Sequence, residues 1–211
     1  MAAKLLVRSS GPAELDAARA GGLPAVPADF EWPRCRTCNG PMQFLAQMPL
    51  ASSGPTSLGT RDQLLLVFQC QNQPGLCDEW EPEAGGNAAL LVPRADLILG
   101  AQPSGVASLP REDPLELRPY DDSRQDVSPD DNYCEALDAD SERVVGKAGG
   151  APLWLQADET PLCGGCGRKM EFVFLVESHA AGGINFGDSG VGYAFVCASC
   201  TGTARFLFQC A

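Results

Sequence analysis

Histidine is almost absent from this chain: His179 is the single one in 211 residues. Its scarcity removes the commonest acid–base group near neutral pH, and no HExxH is present to hold a catalytic metal. Long hydrophobic runs are missing as well. None approaches the roughly 20 apolar residues needed to span a bilayer. The opening MAAKLLVRSS carries too short an apolar stretch for a signal peptide. Positive charge is sparse: 15 Lys and Arg against 27 Asp and Glu leave a formal net charge of −12. Broad binding to phosphate backbones needs clustered bases, so nucleic acid is disfavoured as a partner. A basic protein partner is compatible with this balance. A phosphate loop is also missing, because the GGCGRK of 164–169 lacks Walker spacing. Together these absences predict a soluble cytoplasmic protein without catalytic residues.

Cysteine is what the chain has in quantity. Eight of its ten cysteines form two matching sets, Cys35, Cys38, Cys70 and Cys77, then Cys163, Cys166, Cys197 and Cys200. Each set opens with a CxxC pair and closes with a second pair about thirty residues on. In a cytoplasm thiols stay reduced, so paired cysteines bind metal more readily than they form disulfides. Four thiolates at such spacing converge on one tetrahedral ion, usually zinc. The second set has regular spacing on both sides, whereas six residues separate Cys70 from Cys77. The expectation is two closed, structural zinc sites. Each would contribute on the order of 10 kcal/mol of apparent binding energy to folding. Redox-active CxxC pairs are the competing reading, but the thioredoxin type needs a CxxC opening a helix beside a βαβ unit.

The two sets lie in two halves that read as copies. A shift of 128 carries Gly21-Gly22 onto Gly149-Gly150, Pro24 onto Pro152, Pro33 onto Pro161, Cys35 onto Cys163, Met42 onto Met170 and Phe44 onto Phe172. At a shift of 127, Phe68 meets Phe195 and Cys70 meets Cys197. An internal repeat accounts for this better than chance. Repeat one covers about 20–110 and repeat two about 146–211; between them, 111–145 is rich in acids and reads as a solvated connector. LELRPY, 115–120, is a candidate strand within it.

Apolar runs of strand length follow each CxxC, at 43–48 and 170–176. Others enter the second cysteine pairs at 64–68 and 193–196, and 88–92 and 205–208 complete the set. AELDAARA, 13–20, is long enough for two helical turns before Gly21-Gly22 stops them. The predicted fold is mainly β with minor α: two zinc-ribbon-like β repeats packed as one pseudo-twofold body over residues 1–211. Cys134 falls in the acidic connector and reads as incidental, and Cys210 reads as a small buried hydrophobe at a strand end. His179 reads as a surface residue. The loop 185–190, NFGDSG, reads as a turn in which Asp188 caps backbone amides.

Several segments carry a family resemblance. AGGLPAVPADFEWPRC, PMQFLAQ, FQCQNQPGLCDEW, GKAGGAPLWLQ and INFGDSGVGYAFVC resemble the YwqG-like family of bacterial proteins, over most of the chain from Ala20 to Cys210. The Gly149-Gly150-Ala151-Pro152-Leu153-Trp154 lead-in before a CxxC is also similar to the programmed-cell-death-2 and Trus proteins. That second resemblance implies a dedicated chaperone of a small-subunit ribosomal protein, and for the wider group a role in RNA processing. The reading that unites these features is a zinc-stabilised, non-catalytic protein-binding module, a chaperone or inhibitor of a basic protein. An RNA-binding or RNA-processing protein and a thiol redox protein are the alternatives.

Overall fold

The structure is a computed structural model, and it describes residues 3–11, 13–50, 62–106, 109, 111–122, 127–137, 142–178 and 183–211. His179 lies outside the described residues. The protein is mainly β, as its apolar runs predict. Ten antiparallel strands form one sheet in the order β12 (Ala204–Gln209), β11 (Val191–Val196), β10 (Glu171–Glu177), β9 (Val144–Ala148), β1 (Lys4–Arg8), β8 (Glu112–Pro119), β2 (Arg19–Gly21), β4 (Gln43–Pro49), β5 (Gln63–Gln69), β6 (Asn87–Pro93). The terminal strands β6 and β12 lie side by side, so the sheet nearly closes on itself. The ladder is not continued between them. Two short strands, β3 (Ala25–Val26) and β7 (Ile98–Leu99), pair separately.

The strand order is symmetric about the β1–β8 pair, where Leu6 faces Leu117. Outward on one side come β9, β10, β11 and β12; on the other come β2, β4, β5 and β6. The leading strands are exchanged. β1, at the start of the chain, pairs with β9 of the second half, while β8, just ahead of that half, pairs with β2 of the first. The stretch expected to be a solvated connector therefore contains a central strand, and also the helix Pro129–Leu137. The candidate strand at 115–120 overlaps β8, whose burial alternates: Asp113 and Leu115 are buried while Glu112 and Glu116 are exposed.

Alternation along the strands divides the core into layers. In β5, Leu65 and Val67 enter a central cluster shared by both halves, while Leu64, Leu66 and Phe68 enter a second cluster with Cys35, Cys70 and Cys77. In β11, Ala194 and Val196 point to the shared core, while Tyr193 and Phe195 join Cys163 and Cys197. Burial on both faces explains why these strands read as unbroken apolar runs. One irregularity recurs. The β4–β5 ladder slips between Phe44 and Ala46, and the β10–β11 ladder between Phe172 and Phe174, again 128 residues apart.

The segment 13–20 is not helical. It makes a turn, with the Ala17 N–H on the Glu14 carbonyl, and then enters β2. Eight residues form a marginal helix at best, and two side chains take up the carbonyls a helix would use. The Arg19 guanidinium donates to Glu14 and Leu15, and the Gln47 amide to Leu15 and Ala17.

Candidate metal centres

Each CxxC sits in a tight hairpin, and the two hairpins match bond for bond. The Cys35 N–H donates to the Gly40 carbonyl at 2.9 Å, and the Cys163 N–H to the Arg168 carbonyl at 2.8 Å. Asn39 N–H returns to Cys35 at 2.9 Å, as Gly167 N–H does to Cys163 at 2.8 Å. The turn needs a left-handed residue: Gly167 has φ 70°, and Asn39 takes the same place at 56°. Asparagine is one of the few non-glycine residues that tolerates this conformation. Single bridges, Arg34 with Pro41 and Leu162 with Lys169, close both hairpins.

The second pairs arrive on β5 and β11. Cys70 N–H donates to Gly86 at 2.8 Å and Cys197 N–H to Thr203 at 2.9 Å. The return to that bond takes sixteen residues in the first half and six in the second. The additional length carries Cys77, and its fold depends on Glu79. This buried carboxylate accepts the N–H groups of Gly75 and Cys77, while Asn87 donates to the Glu79 carbonyl at 2.9 Å.

All eight predicted ligands converge. The sulfurs of Cys35, Cys38, Cys70 and Cys77 lie within 4.8 Å of one another, and so do those of Cys163, Cys166, Cys197 and Cys200. Cys38 to Cys70 and Cys166 to Cys197 are both 3.6 Å. A tetrahedral ion with bonds of about 2.3 Å to sulfur requires ligands about 3.8 Å apart, so these sets could each hold one. A disulfide at about 2.05 Å is a different geometry.

Electrostatics favour a cation. Backbone N–H groups lower two thiols: Gly40 holds Cys38 at about 7, and Cys166 with Gly165 hold Cys163 at about 6. Their neighbours move the other way. Burial raises Cys70 and Cys77, and hydrogen bonds to Cys163 and Cys166 push Cys200 up to about 12. Four thiols in contact cannot all ionise unaided, whereas a bound divalent ion makes every thiolate favourable. Further N–H donors aim at the sulfurs, from the Asn72 amide to Cys70 at 3.3 Å and from Cys200 to Cys197 at 3.2 Å.

Cys134 and Cys210 join neither set; Cys134 is exposed, while Cys210, expected buried, is half-buried just past β12. The 185–190 loop is a turn in which Gly187 N–H donates to Asn185 Oδ1 at 2.9 Å and Asp188 accepts Ala211 N–H through its backbone carbonyl. Sequence reasoning missed Asn72 and Glu79. Each stands two residues after a cysteine, an available signal for a side chain that supports a ligand.

Gly86 offers a test of the first centre. A Cβ there would lie 2.1 Å from the Cys77 carbonyl oxygen and 2.8 Å from Glu79 backbone. Gly86→Ala should destabilise the protein by about 1–3 kcal/mol and speed metal loss from this centre. Gly75→Ala meets open space and bears only the cost of φ +77°, about 1–2 kcal/mol, with metal retained. Urea melts with and without chelator separate the two.

Comparison with curated proteins finds no match for this chain. A family model described as "Domain of unknown function (DUF1963)" matches residues 18–206, a span that contains both four-cysteine centres. The chain belongs to the DUF1963 family.

Proposed function

We propose that this protein is a zinc-stabilised, non-catalytic protein-binding module, YwqG-like in kind, that acts as a chaperone or inhibitor of a basic protein. The observation that carries the reading is the closure of both centres: four cysteines converge in each. A catalytic zinc keeps a position for water or substrate, and four thiolates leave none. Zinc also suits tetrahedral sulfur ligation better than hard divalent ions do. The surface supplies the second element. Glu112, Glu116, Asp121, Asp130, Asp131 and Glu135 are all exposed within one stretch of chain. Such exposed negative charge steers basic partners through long-range attraction that falls with salt.

The test is capture by the metal-loaded protein. It should retain a discrete basic protein from its own cytoplasm at low salt and release it as salt rises. Glu116→Lys should weaken that capture, with no loss of fold, since the position is exposed. Salt-dependent retention of RNA in place of protein would favour the RNA reading. A thiol redox role draws support from one observation, the Cys163 thiol held at about 6 by backbone N–H groups. Thiol titration of the native protein distinguishes the two, because metal-bound thiolates react slowly and release metal when attacked.

A further inference from the structure

The two halves also differ where the second of them leaves a cavity. A space of about 420 Å³ opens between the helix Pro129–Leu137, strand β10 and the segment 153–155. Its walls are mainly apolar, with Leu153, Trp154, Leu155 and Leu175 among them. The corresponding region of the first half is bridged by side-chain hydrogen bonds. A shift of 128 carries Leu153 and Trp154 back to Ala25 and Val26, which form strand β3 and pair with β7. The same shift carries Leu175 back to Gln47. Gln47 is fully buried: its Oε1 accepts the Ala25 N–H at 2.8 Å, and its Nε2 donates to Leu15 at 2.9 Å and to Ala17 at 2.8 Å. The first half thus knits this region shut, and the second replaces the knitting residues with an apolar wall and a void.

Two carboxylates reach the same space, Glu177 from β10 and Asp130 from the first turn of the helix. Tyr133 fixes Glu177 by donating its hydroxyl to Oε1 at 2.6 Å, and the second oxygen has no hydrogen bond among the described residues. Among the described residues, no Lys, Arg or His lines the cavity. Lys147, on the neighbouring strand β9, donates its ammonium to the Ala151 carbonyl at 2.9 Å and stands over the Tyr120 ring. Trp154 is half-buried and held rigid: its ring meets Tyr193 at 4.6 Å and stacks on Phe195 at 5.8 Å. The Tyr193 hydroxyl in turn donates to Leu153 at 2.7 Å, which locks the segment carrying the wall.

We propose that this cavity is a binding site for a small amphiphilic organic cation, an ammonium group carried on an apolar or aromatic body. The volume suits a small ligand, and pockets of this kind combine apolar walls with a few placed polar groups. The apolar body packs against the leucines. The ammonium lies between the open oxygen of Glu177 and the face of Trp154, where charge-assisted hydrogen bonding and cation–π attraction act together. Asp130 adds a second negative charge at the rim. An anion of the same shape is excluded by both carboxylates. This site goes beyond the protein-binding proposal and does not depend on it, nor on which metal the cysteines hold.

Three probes of one shape test it: phenethylamine, 2-phenylethanol and phenylacetate, titrated near neutral pH and followed by tryptophan fluorescence and by protection of Cys134, an exposed thiol at the cavity wall. The amine should bind tightest, the alcohol more weakly and the carboxylate least. Glu177→Gln should reduce amine affinity by roughly tenfold while leaving the alcohol unchanged, the signature of a lost charge-assisted contact. Trp154→Phe should remove most of the fluorescence response and keep the order of the probes. Should Glu177→Gln fail to fold, Asp130→Asn on the exposed helix turn should still narrow the gap between amine and alcohol. Failure of all three probes to bind would overturn the proposal. So would binding of phenylacetate as tightly as the amine, or an amine affinity unmoved by the carboxylate variants.

Discussion

Cys163→Ser should lose its metal and several kcal/mol of stability, whereas Cys134→Ser should melt within about 0.5 kcal/mol of the parent. The contrast follows from position. Cys163 is 1% exposed and sits among three other sulfurs within 4.8 Å. A serine there removes a ligand, leaves three thiolates and admits water to the ion. The loss feeds directly into folding, because an unfolded chain has no preformed site and binding energy is folding energy. Around the site lie Met170, Phe172, Tyr193 and Phe195, whose packing the centre organises. Cys134 is exposed on the helix Pro129–Leu137 and has no such coupling. Urea melts of the two variants, each with and without chelator, measure it. If Cys163→Ser loses its metal yet melts like the parent, the metal is not structural.

Cys77→Ser should do more than empty the first centre: it should open the seam of the sheet. The residues 71–85 carry Cys77 and also cover the gap between β6 and β12. Phe208 N–H on β12 donates to the Trp80 carbonyl at 3.4 Å, and Arg205 pairs with Glu83 at 3.4 Å. Asn87 at the start of β6 holds Glu79 and Glu81 from the other side, both at 2.9 Å. The ion pair is partly exposed and worth little alone. What would hold the cover is the attachment of Cys77 to a metal shared with Cys35, Cys38 and Cys70, whose sulfurs lie within 4.8 Å of one another. Behind the seam lie Phe186 and Phe206, both fully buried in the shared core. Hydrogen exchange should therefore rise by an order of magnitude or more in β6 and β12 of Cys77→Ser, and far less in β10 and β9. In Cys200→Ser the seam should stay protected, because the second half closes its cysteine pair with a short turn. Equal loss of protection across the sheet in both variants would show that 71–85 does not act as a cover.

Much of this was legible in the sequence, and the rest was hidden for physical reasons. Cysteine spacing picked out all eight sulfurs that converge, because a CxxC turn leaves little freedom in where its sulfurs point. The strands entering each second pair were readable because both faces are buried and their apolar runs are unbroken. β2 and β9 were not. They are three and five residues long, and each carries a base, Arg19 or Lys147, that is buried in the fold. Arg19 pairs with Glu112 at 3.0 Å, a partner 93 residues away that no local pattern reveals. The exchange of β1 and β8 is a matter of topology and leaves no local signal. The cavity escaped for a related reason. Glu177 and Tyr133 stand 44 residues apart, on a strand and a helix that only the fold brings together.

The central claim is that both four-cysteine centres hold structural zinc, and the metal content of the native protein tests it most directly. Elemental analysis of the purified chain should return two zinc ions per molecule, one for each set of four sulfurs. Thiol titration of the same sample should find Cys134 and Cys210 reacting quickly and the remaining eight reacting only as zinc is released. A protein that carries no metal, or iron in place of zinc, would contradict the account, as would eight thiols that react at once in a chain still fully folded.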